Sequence, residues 1–298
     1  MNSLNSNCML ENIIHVDNNH NMARKKTANL PDFAALLEPV SEFTSDIQRV
    51  LLRCDGQDPP SLSIAEQIAS RLAGMIVLDR LKPGQRVLES EICAVLDVSR
   101  APVREALRIL ERDRLLVITS RKGACVSTYS PKELADIFEI RASLITTSYV
   151  AMMRDHPAEF ADRLQSGVAK LEEAARSGSH DNYTLASFRL TTGLRALCDN
   201  ELLYDMVQSL ALQMLRYSRL GFGTEQGMAR SLSDWNAIVR AVSRGNGEKA
   251  AELVRRRMRG SRDAALAALE GEEKTSPLIH EQPGRKPLSK ERAKHASV

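Results

Sequence analysis

Two short helical stretches joined by a turn of three residues restrict the fold of this chain more than any other feature. The turn is Asp97-Val98-Ser99, and Ser99 is a favourable N-cap for the helix that follows. Pro102 is tolerated in the first turn of that helix, because backbone N–H groups there have no intrahelical partner. The apolar residues at helical spacing are Leu88, Ile92 and Leu96 before the turn, and Val103, Ala106, Leu107 and Leu110 after it. The pattern predicts two helices connected by a tight turn.

The sequence on either side of these helices completes a small domain. Ser63 and Glu66 form a capping-box pattern, which begins a helix whose apolar residues recur at helical spacing. Downstream, two β-favouring runs at 115–119 and 124–127 flank a glycine-bearing turn, which is typical of a hairpin. Three helices followed by a hairpin predict a winged helix-turn-helix domain over residues 61–129.

A second capping box, Ser130-Pro131-Lys132-Glu133, begins another block. From there the helical pattern continues to about Leu269 without strand signals, and it is interrupted by short breaks rich in Gly, Asn and Ser. This predicts a bundle of about six helices over residues 130–271. The expected fold class is mainly α: an N-terminal winged helix-turn-helix plus a C-terminal all-helical bundle.

The two ends of the chain lack such patterns. Residues 1–60 begin with Asn-rich polar sequence and end on Asp58-Pro59-Pro60, so we expect a poorly ordered N-terminal extension with room for a short helix within 31–53. Residues 272–298 mix Pro, Lys, Glu and Ser with few apolar residues, which is typical of a disordered tail.

Composition excludes several classes of protein. No run of about 18 apolar residues occurs, so we expect no membrane span, and the N-terminus lacks the basic-then-apolar order of a signal peptide. The five cysteines are odd in number and scattered, which favours reduced thiols and a cytoplasmic location. A net charge of +3 is too small to indicate a nucleic-acid partner by itself.

The position of charge is more informative than its total. Arg100, Arg104 and Arg108 follow i, i+4, i+8 spacing, so they share one face of the helix after the turn. A guanidinium can bond guanine O6 and N7 together, and we assign Arg100 and Arg104 to base edges or adjacent phosphates. Ser99 and Arg121 are expected to contact phosphates. The predicted DNA-binding residues are Ser99, Arg100, Ala101, Arg104, Arg108, Arg121, Lys122 and Gly123, the last two at the tip of the wing.

The alternative for these arginines is an ordinary solvated face. Glu105 and Glu111 lie close enough along the helix to pair with some of them. The complete order of elements, with a short turn and a basic wing, favours the DNA-binding interpretation.

Two stretches within these elements resemble a known family. Residues 81–89, LKPGQRVLE, and 98–108, VSRAPVREALR, strongly resemble the signature of the GntR family of transcription regulators. The helical block from Leu134 onward resembles the FadR-type effector domain, and the resemblance covers about residues 62–270. The family's usual Gly before the valine is Asp97 here, and a basic residue that some members place early in the second helix is Ser90.

The resemblance implies a sequence-specific transcription regulator, expected to be a repressor, whose operator affinity is modulated by a small molecule. It implies a homodimer joined mainly through the helical domains and bound to double-stranded DNA at an imperfect palindrome. It also implies that effector binding changes the spacing of the two DNA-reading domains.

Many domains of this type hold a divalent metal through one Asp and three His. Matched residue by residue, those four positions are Leu185, Arg189, Trp235 and Arg257 in this chain. None is an ordinary metal ligand, because Arg stays protonated and Leu and Trp offer no lone pair. We therefore expect no metal and no other cofactor.

Cations stand where the family places a metal, which suggests an anionic effector. We expect Arg189 and Arg257, joined by Arg141, to bind an organic acid or another anion through charge-assisted hydrogen bonds. Asn236, Tyr217 and Trp235 are expected to shape this effector pocket. The alternative is that the arginines face solvent or pair with carboxylates of neighbouring helices.

Two other functions compete with this interpretation. An enzyme fused to a DNA anchor needs a nucleophile and base or clustered carboxylates and histidines, and the matched core positions hold none. We therefore expect no enzymatic activity. The second alternative is a DNA-bound dimer that has lost its ligand and acts through protein partners.

Overall fold

The computed structural model describes residues 32–53, 61–119 and 123–275. An N-terminal segment contains a 3-10 helix, Phe33–Leu37, and helix α1, Glu42–Leu51. The part that follows, for which the sequence predicts DNA binding and which we call the DNA-reading part, has three helices and three short strands, and the rest is helical. Its elements in chain order are α2 (Ile64–Val77), β1 (Arg86–Val87), α3 (Glu89–Leu96), α4 (Arg100–Arg112), β2 (Leu116–Thr119) and β3 (Gly123–Val126).

Seven α-helices form the second part of the described chain, where the sequence predicts about six. Both predicted capping boxes are confirmed: Ser63 with Glu66 begins α2, and Ser130 with Glu133 begins the first helix of the bundle. The helices are α5 (Pro131–Asp155), α6 (Pro157–Arg176), α7 (His180–Thr192), α8 (Glu201–Ser209), α9 (Ala211–Gly221), α10 (Glu225–Ser243) and α11 (Gly247–Thr275), with a 3-10 turn at Arg195–Leu197. The predicted mainly α fold class is confirmed.

The sheet is antiparallel with strand order β1-β3-β2. The predicted hairpin is confirmed, with Leu116 opposite Val126 and Thr119 opposite Gly123. Strand β1 adds a third strand, pairing Arg86 with Cys125. The sequence does not reveal β1, because two residues are too few to show an alternating pattern.

Two apolar cores hold the molecule together. The first joins α1, the winged helix-turn-helix and a few residues of the bundle, among them Phe188 of α7 and Leu215 of α9. The second lies inside the bundle, with Trp235 and Tyr183 among its largest fully buried side chains. The first core therefore extends across the junction between the DNA-reading part and the bundle.

Helix α1 is the short helix for which the sequence left room within residues 31–53 of the N-terminal extension. Ser41 caps this helix by accepting a hydrogen bond from the backbone N–H of Thr44 at 3.2 Å. Its apolar face is buried in the first core, and this burial supplies the stability that a helix of ten residues lacks alone. The buried apolar residues are Phe43, Ile47, Val50 and Leu51.

At the other end, α11 continues to Thr275, so residues 272–275 are helical and not part of a tail as predicted. Residues 1–31, 54–60 and 276–298 lie outside the described residues. Among the helices that are described, none has the length and apolar character needed to cross a membrane.

Candidate functional site

The turn between α3 and α4 depends on an unusual backbone conformation at Asp97. This residue ends α3 in the left-handed region, with φ 49° and ψ 47°. Asp visits that region more readily than most residues because its short polar side chain can bond locally, whereas Gly does so without cost. Asp97 thus occupies a position whose geometry explains why a glycine is usual there.

Helix α4 has one buried and one exposed face. Val103, Ala106, Leu107 and Leu110 are buried in the first core. Ser99, Arg100, Ala101, Arg104 and Arg108 are all exposed. Ser99 is the N-cap residue by backbone geometry, but its hydroxyl makes no capping hydrogen bond. The predicted DNA-binding residues of α4 therefore form one accessible surface, which we call the reading face.

The arginines of the reading face differ in their partners. Arg104 donates from Nε to the carboxylate of Glu89 at 2.9 Å, and Arg108 from Nη1 to Glu105 at 3.4 Å. Arg100 forms no ion pair with any residue that the structure describes. Exposed pairs of this kind contribute little to stability, on the order of 0–1 kcal/mol. Glu111 does not join them, since it accepts from the backbone N–H of Ile118 at 3.0 Å.

The wing is only partly described. Gly123 begins β3 with φ +78°, and a Cβ at this position would meet no atom within 4 Å. Its backbone is therefore open to a close approach. The other two predicted wing contacts, Arg121 and Lys122, lie outside the described residues.

Inside the bundle, two arginines are buried without a carboxylate partner among the described residues. Arg141 of α5 is 6% exposed and Arg257 of α11 is 9% exposed. Burial, and then the charge of Arg257, lower the pKa of Arg141 to about 10, so Arg141 still carries a positive charge near neutral pH. Burial also lowers the pKa of Arg257. The Arg257 guanidinium lies over the Trp235 ring, 4.0 Å from its centroid.

Buried polar atoms around these arginines also lack hydrogen-bond partners. They include Nη1 of Arg141, the hydroxyl of Tyr149 and the indole N–H of Trp235. Burial raises the pKa of Tyr149 to about 12, so its hydroxyl keeps its proton and can donate. Each group can donate a hydrogen bond, and leaving a buried donor unpaired costs roughly 1–3 kcal/mol. This cluster therefore has an excess of donors and positive charge.

A cavity of about 40 Å³ lies beside the two arginines. Since one water molecule needs roughly 10–15 Å³ of such volume, the cavity suits a group of a few heavy atoms. Five hydroxyl side chains and an apolar wall complete its lining. The hydroxyls are Thr184, Ser187, Thr191, Ser218 and Ser261, and the apolar wall includes Phe138, Phe188 and Phe222. We call this cavity, with Arg141 and Arg257, the anion cavity.

Of the six predicted effector residues, Arg141 and Arg257 line the anion cavity and Trp235 contacts Arg257, whereas the other three lie elsewhere. Arg189 does not point into the bundle core as predicted: its Nε donates to Asp46 of α1 at 2.6 Å and its Nη2 to Glu42 at 3.1 Å. The prediction placed it on the wrong face of α7, one residue after Phe188, which does line the anion cavity. Partial burial lowers the pKa of Arg189, but the hydrogen bonds to Asp46 and Glu42 outweigh it and raise that pKa overall.

Asn236 and Tyr217 do not line the anion cavity either. Asn236 donates from Nδ2 to Glu172 of α6 at 3.0 Å. Tyr217 lies edge-on to Tyr129, with 6.0 Å between ring centroids, at the junction with the DNA-reading part. Tyr149 was missed by the sequence analysis, although its i+8 spacing from Arg141 places the two on nearly the same side of α5.

The residues present do not fit a metal. Two of the four matched positions, Trp235 and Arg257, form a cation–π pair with each other, and a third, Arg189, is held by carboxylates. Within residues 32–53, 61–119 and 123–275, no three His, Cys, Asp or Glu side chains come together as a metal site.

A larger groove of about 910 Å³ runs between α6 and α7. Its lining carries charges of both signs, including Asp162, Arg163, Lys170 and Glu173. These side chains can balance one another, so this groove has no excess charge that would select a ligand.

Comparison with known families divides the chain at the same junction. Residues 64–126 match the model described as bacterial regulatory proteins, gntR family, and residues 136–260 match the FCD domain. An uncharacterized HTH-type transcriptional regulator of Bacillus subtilis, YdhC, is 30% identical over 115 residues, which is 39% of this chain and 51% of the relative. The Nta operon transcriptional regulator of Aminobacter aminovorans is 29% identical over 49% of this chain and 68% of its own length. This chain thus spans about half to two thirds of these relatives.

Solved structures share the architecture. A GntR transcriptional regulator from Rhodococcus sp. RHA1 superimposes with a TM-score of 0.59 at 22% identity, covering 70% of this chain and 99% of that one. E. coli McbR/YncC gives a TM-score of 0.60 at 18% identity with the same coverage of both chains. At this level of identity the similarity establishes the fold.

Proposed function

Because the chain belongs to the gntR family of bacterial regulatory proteins and carries an FCD domain, we propose that it is an anion-responsive regulator of transcription. The reading face of α4 binds operator DNA, and a small anion in the anion cavity changes the affinity for that DNA. Members of the family are regulators and not enzymes, so the outcome of ligand binding is a change in DNA occupancy.

The DNA-binding half of the proposal rests on the reading face. Three arginines at successive turns of an exposed helix suit a major groove, where Arg100 and Arg104 reach base edges and Arg108 a phosphate. Arg104 meets Glu89 through Nε alone, which leaves its terminal NH₂ groups available for guanine O6 and N7. The regulator acts in the cytoplasm as a homodimer, repressing from an imperfect palindrome.

The anion half rests on one observation: Arg141 and Arg257 are buried close together, and neither forms an ion pair with a carboxylate among the described residues, Asp234 acting on Arg257 only at longer range. Buried charges in proteins are normally paired, because the cost of removing an ion from water is several kcal/mol. A bound anion would supply the missing charge and would accept a hydrogen bond from the unpaired Nη1 of Arg141. Because no metal fits, the guanidinium groups themselves hold the ligand.

The alternative is a dimer that no longer binds a ligand and responds only to protein partners. The two buried arginines of the anion cavity argue against it, since a cavity without a ligand gains nothing from two cations that form no ion pair. In that case a protein with apolar residues in place of Arg141 and Arg257 would be the more stable one.

The proposal is tested by measuring DNA affinity with and without small anions. An operator is first selected in vitro from random DNA with the full chain, and its Kd is then measured by fluorescence anisotropy. Malonate and inorganic phosphate are each compared with sodium chloride at matched ionic strength, because salt alone weakens DNA binding. We expect at least one anion to give heat in calorimetry and to change the operator Kd about 5-fold or more, the usual size of allosteric coupling.

Two results would contradict the proposal in separate ways. If no operator emerges from selection, DNA recognition by α4 is wrong. If an operator emerges but neither anion produces heat or a change in its Kd, the ligand-independent alternative is correct.

A further inference from the structure

Helix α7 lies between the anion cavity and the N-terminal segment. Thr184, Ser187, Phe188 and Thr191 line the cavity. The adjacent residue, Arg189, faces the other way and binds both carboxylates of α1, Asp46 and Glu42. Phe188 itself belongs to the first core together with the apolar face of α1. A change in packing at the cavity therefore reaches α1 through a single turn of α7.

Helix α1 is anchored in turn to the recognition helix. Arg112, the last residue of α4, donates from Nη2 to the backbone carbonyl of Leu51, the last residue of α1, at 3.0 Å. Arg53, two residues after α1, pairs with Asp113 at 3.8 Å. The N-terminal segment also accepts a hydrogen bond from Arg71 of α2 at the carbonyl of Leu36, at 2.8 Å. One end of α1 thus contacts α7 and the other contacts α4.

Asp46 is the central residue of this arrangement. It is buried, and its two oxygens are used separately, one by Arg49 of α1 at 2.9 Å and the other by Arg189 at 2.6 Å. A hydrogen-bonded charge pair in a partly buried place has a narrow range of geometries. Movement of α7 is therefore expected to carry α1 with it, because separating Arg189 from Asp46 would leave a buried carboxylate without its closest partner.

We propose that α1 is a regulatory link that transmits occupancy of the anion cavity to the recognition helix α4. This inference rests on the proposed function, since it specifies how that cavity controls DNA binding. Helix α1 precedes both segments that match the family models, which begin at residues 64 and 136, so the proposed link lies outside the two matched segments.

A second contact between the bundle and the DNA-reading part offers a competing route by which the anion cavity could act on DNA binding. Met214, Leu215 and Ser218 of α9 line the cavity, and the same helix places Arg216 against Asp79 at 2.8 Å. Asp79 follows α2 and contacts α9 without α1 as intermediary. The experiment must therefore distinguish transmission through α1 from transmission through α9.

The test compares the coupling factor, the ratio of operator Kd values with and without anion, between the full-length parent and Arg189→Gln. Malonate and inorganic phosphate are the probes, at ionic strength matched with sodium chloride. We expect Arg189→Gln to bind the anion within 2-fold of the parent, while its coupling factor falls to within 2-fold of unity. Arg189→Lys, which keeps the charge, is expected to recover part of the coupling.

Arg163→Gln is the matched control. Arg163 of α6 is 43% exposed and pairs with Glu159, whereas Arg189 is 45% exposed, so both substitutions remove a half-exposed charge from the bundle surface. Arg163→Gln should retain the parent's coupling factor. Asp46→Asn removes the charge of the carboxylate that Arg189 binds while keeping the shape of the side chain. Melting temperatures establish that each variant is folded.

The outcomes distinguish the inference from the function on which it depends. If the anion binds Arg189→Gln and Asp46→Asn and still shifts the operator Kd as in the parent, α1 is not the link. Loss of coupling in Arg216→Gln alone would assign the route to α9 and would equally overturn the inference. If neither anion binds the parent, the proposed function fails and the inference fails with it.

Discussion

The reading face and the anion cavity use the same side chain in opposite environments. Arg100, Arg104 and Arg108 are exposed, and water screens their charges whether or not a carboxylate is near. Arg141 and Arg257 are buried and form no ion pair among the described residues, although the charge of Asp234 acts on Arg257 from a longer distance. An unpaired arginine therefore costs little on α4 and several kcal/mol in the bundle.

The difference shows how burial determines what a cation can recognise. On an exposed face such as this one, many weak contacts can add up along a polyanion, and selectivity would come from the geometry of base edges. In the anion cavity the low dielectric strengthens each interaction, and the small volume limits the ligand to a few atoms. The first surface suits DNA and the second suits a small anion.

The largest effect is expected when both base-reading arginines are removed. Arg100→Ala with Arg104→Ala should weaken operator binding at least about 100-fold, because each good bidentate contact contributes about 1–3 kcal/mol. Fluorescence anisotropy with the selected operator and with a scrambled duplex measures the loss, which should be much smaller on the scrambled duplex.

Arg163→Ala, on the distant surface of α6, is the control for the loss of an exposed arginine and should leave operator binding unchanged. If the double variant retains the parent's preference for the operator over the scrambled duplex, α4 does not read bases. The reading face and the anion cavity could then no longer be contrasted as a DNA-binding surface and a small-anion site.

A smaller effect is expected in the cavity. Arg141→Met and Arg257→Met should each weaken malonate or phosphate binding about 10- to 100-fold, because a hydrogen bond to a charged group contributes roughly 1.5–3 kcal/mol. Calorimetry measures the affinity, and anisotropy checks that operator binding without anion is kept within a few fold. Equal anion affinity in parent and variants would place the ligand elsewhere.

The smallest effect concerns stability and is expected in the bundle but not on the reading face. Without anion, Arg141→Met should raise the free energy of unfolding by about 1 kcal/mol, since it removes an unpaired buried charge. Arg100→Met should change it by less than about 0.5 kcal/mol, as is usual at exposed positions. Thermal melts in chloride buffer measure both, and 1 kcal/mol corresponds to roughly 2–4 °C. A destabilised Arg141→Met would mean that Arg141 has a stabilising partner.

The DNA-reading part could be predicted in detail because its signals are local. The capping boxes, the apolar spacing and the glycine-bearing hairpin each involve residues close in sequence, and the structure confirms the elements that they predict. Strand β1 could not be predicted, since its pairing with β3 connects residues almost forty positions apart.

The anion cavity was only half predictable. Arg141 and Arg257 were identified because they occupy positions with a known role in the family, whereas Arg189 was assigned to the same cluster although it faces α1. A rotation of about 100° per residue separates Phe188 from Arg189, so a shift of one position changes the face. The partners of Arg189 come from a segment expected to be poorly ordered, and no local pattern connects Asp46 to α7.

The two unpaired cations of the bundle also bear on the lifetime of the protein in a cell. A ligand that binds only the folded chain lowers the fraction that unfolds, and proteases remove chains from that fraction. The regulator should consequently persist longer when its anion is abundant and turn over faster when it is scarce. The amount of the regulator would then change with the anion concentration more slowly than DNA binding does. The amount of the regulator at a given time would therefore depend on earlier anion concentrations.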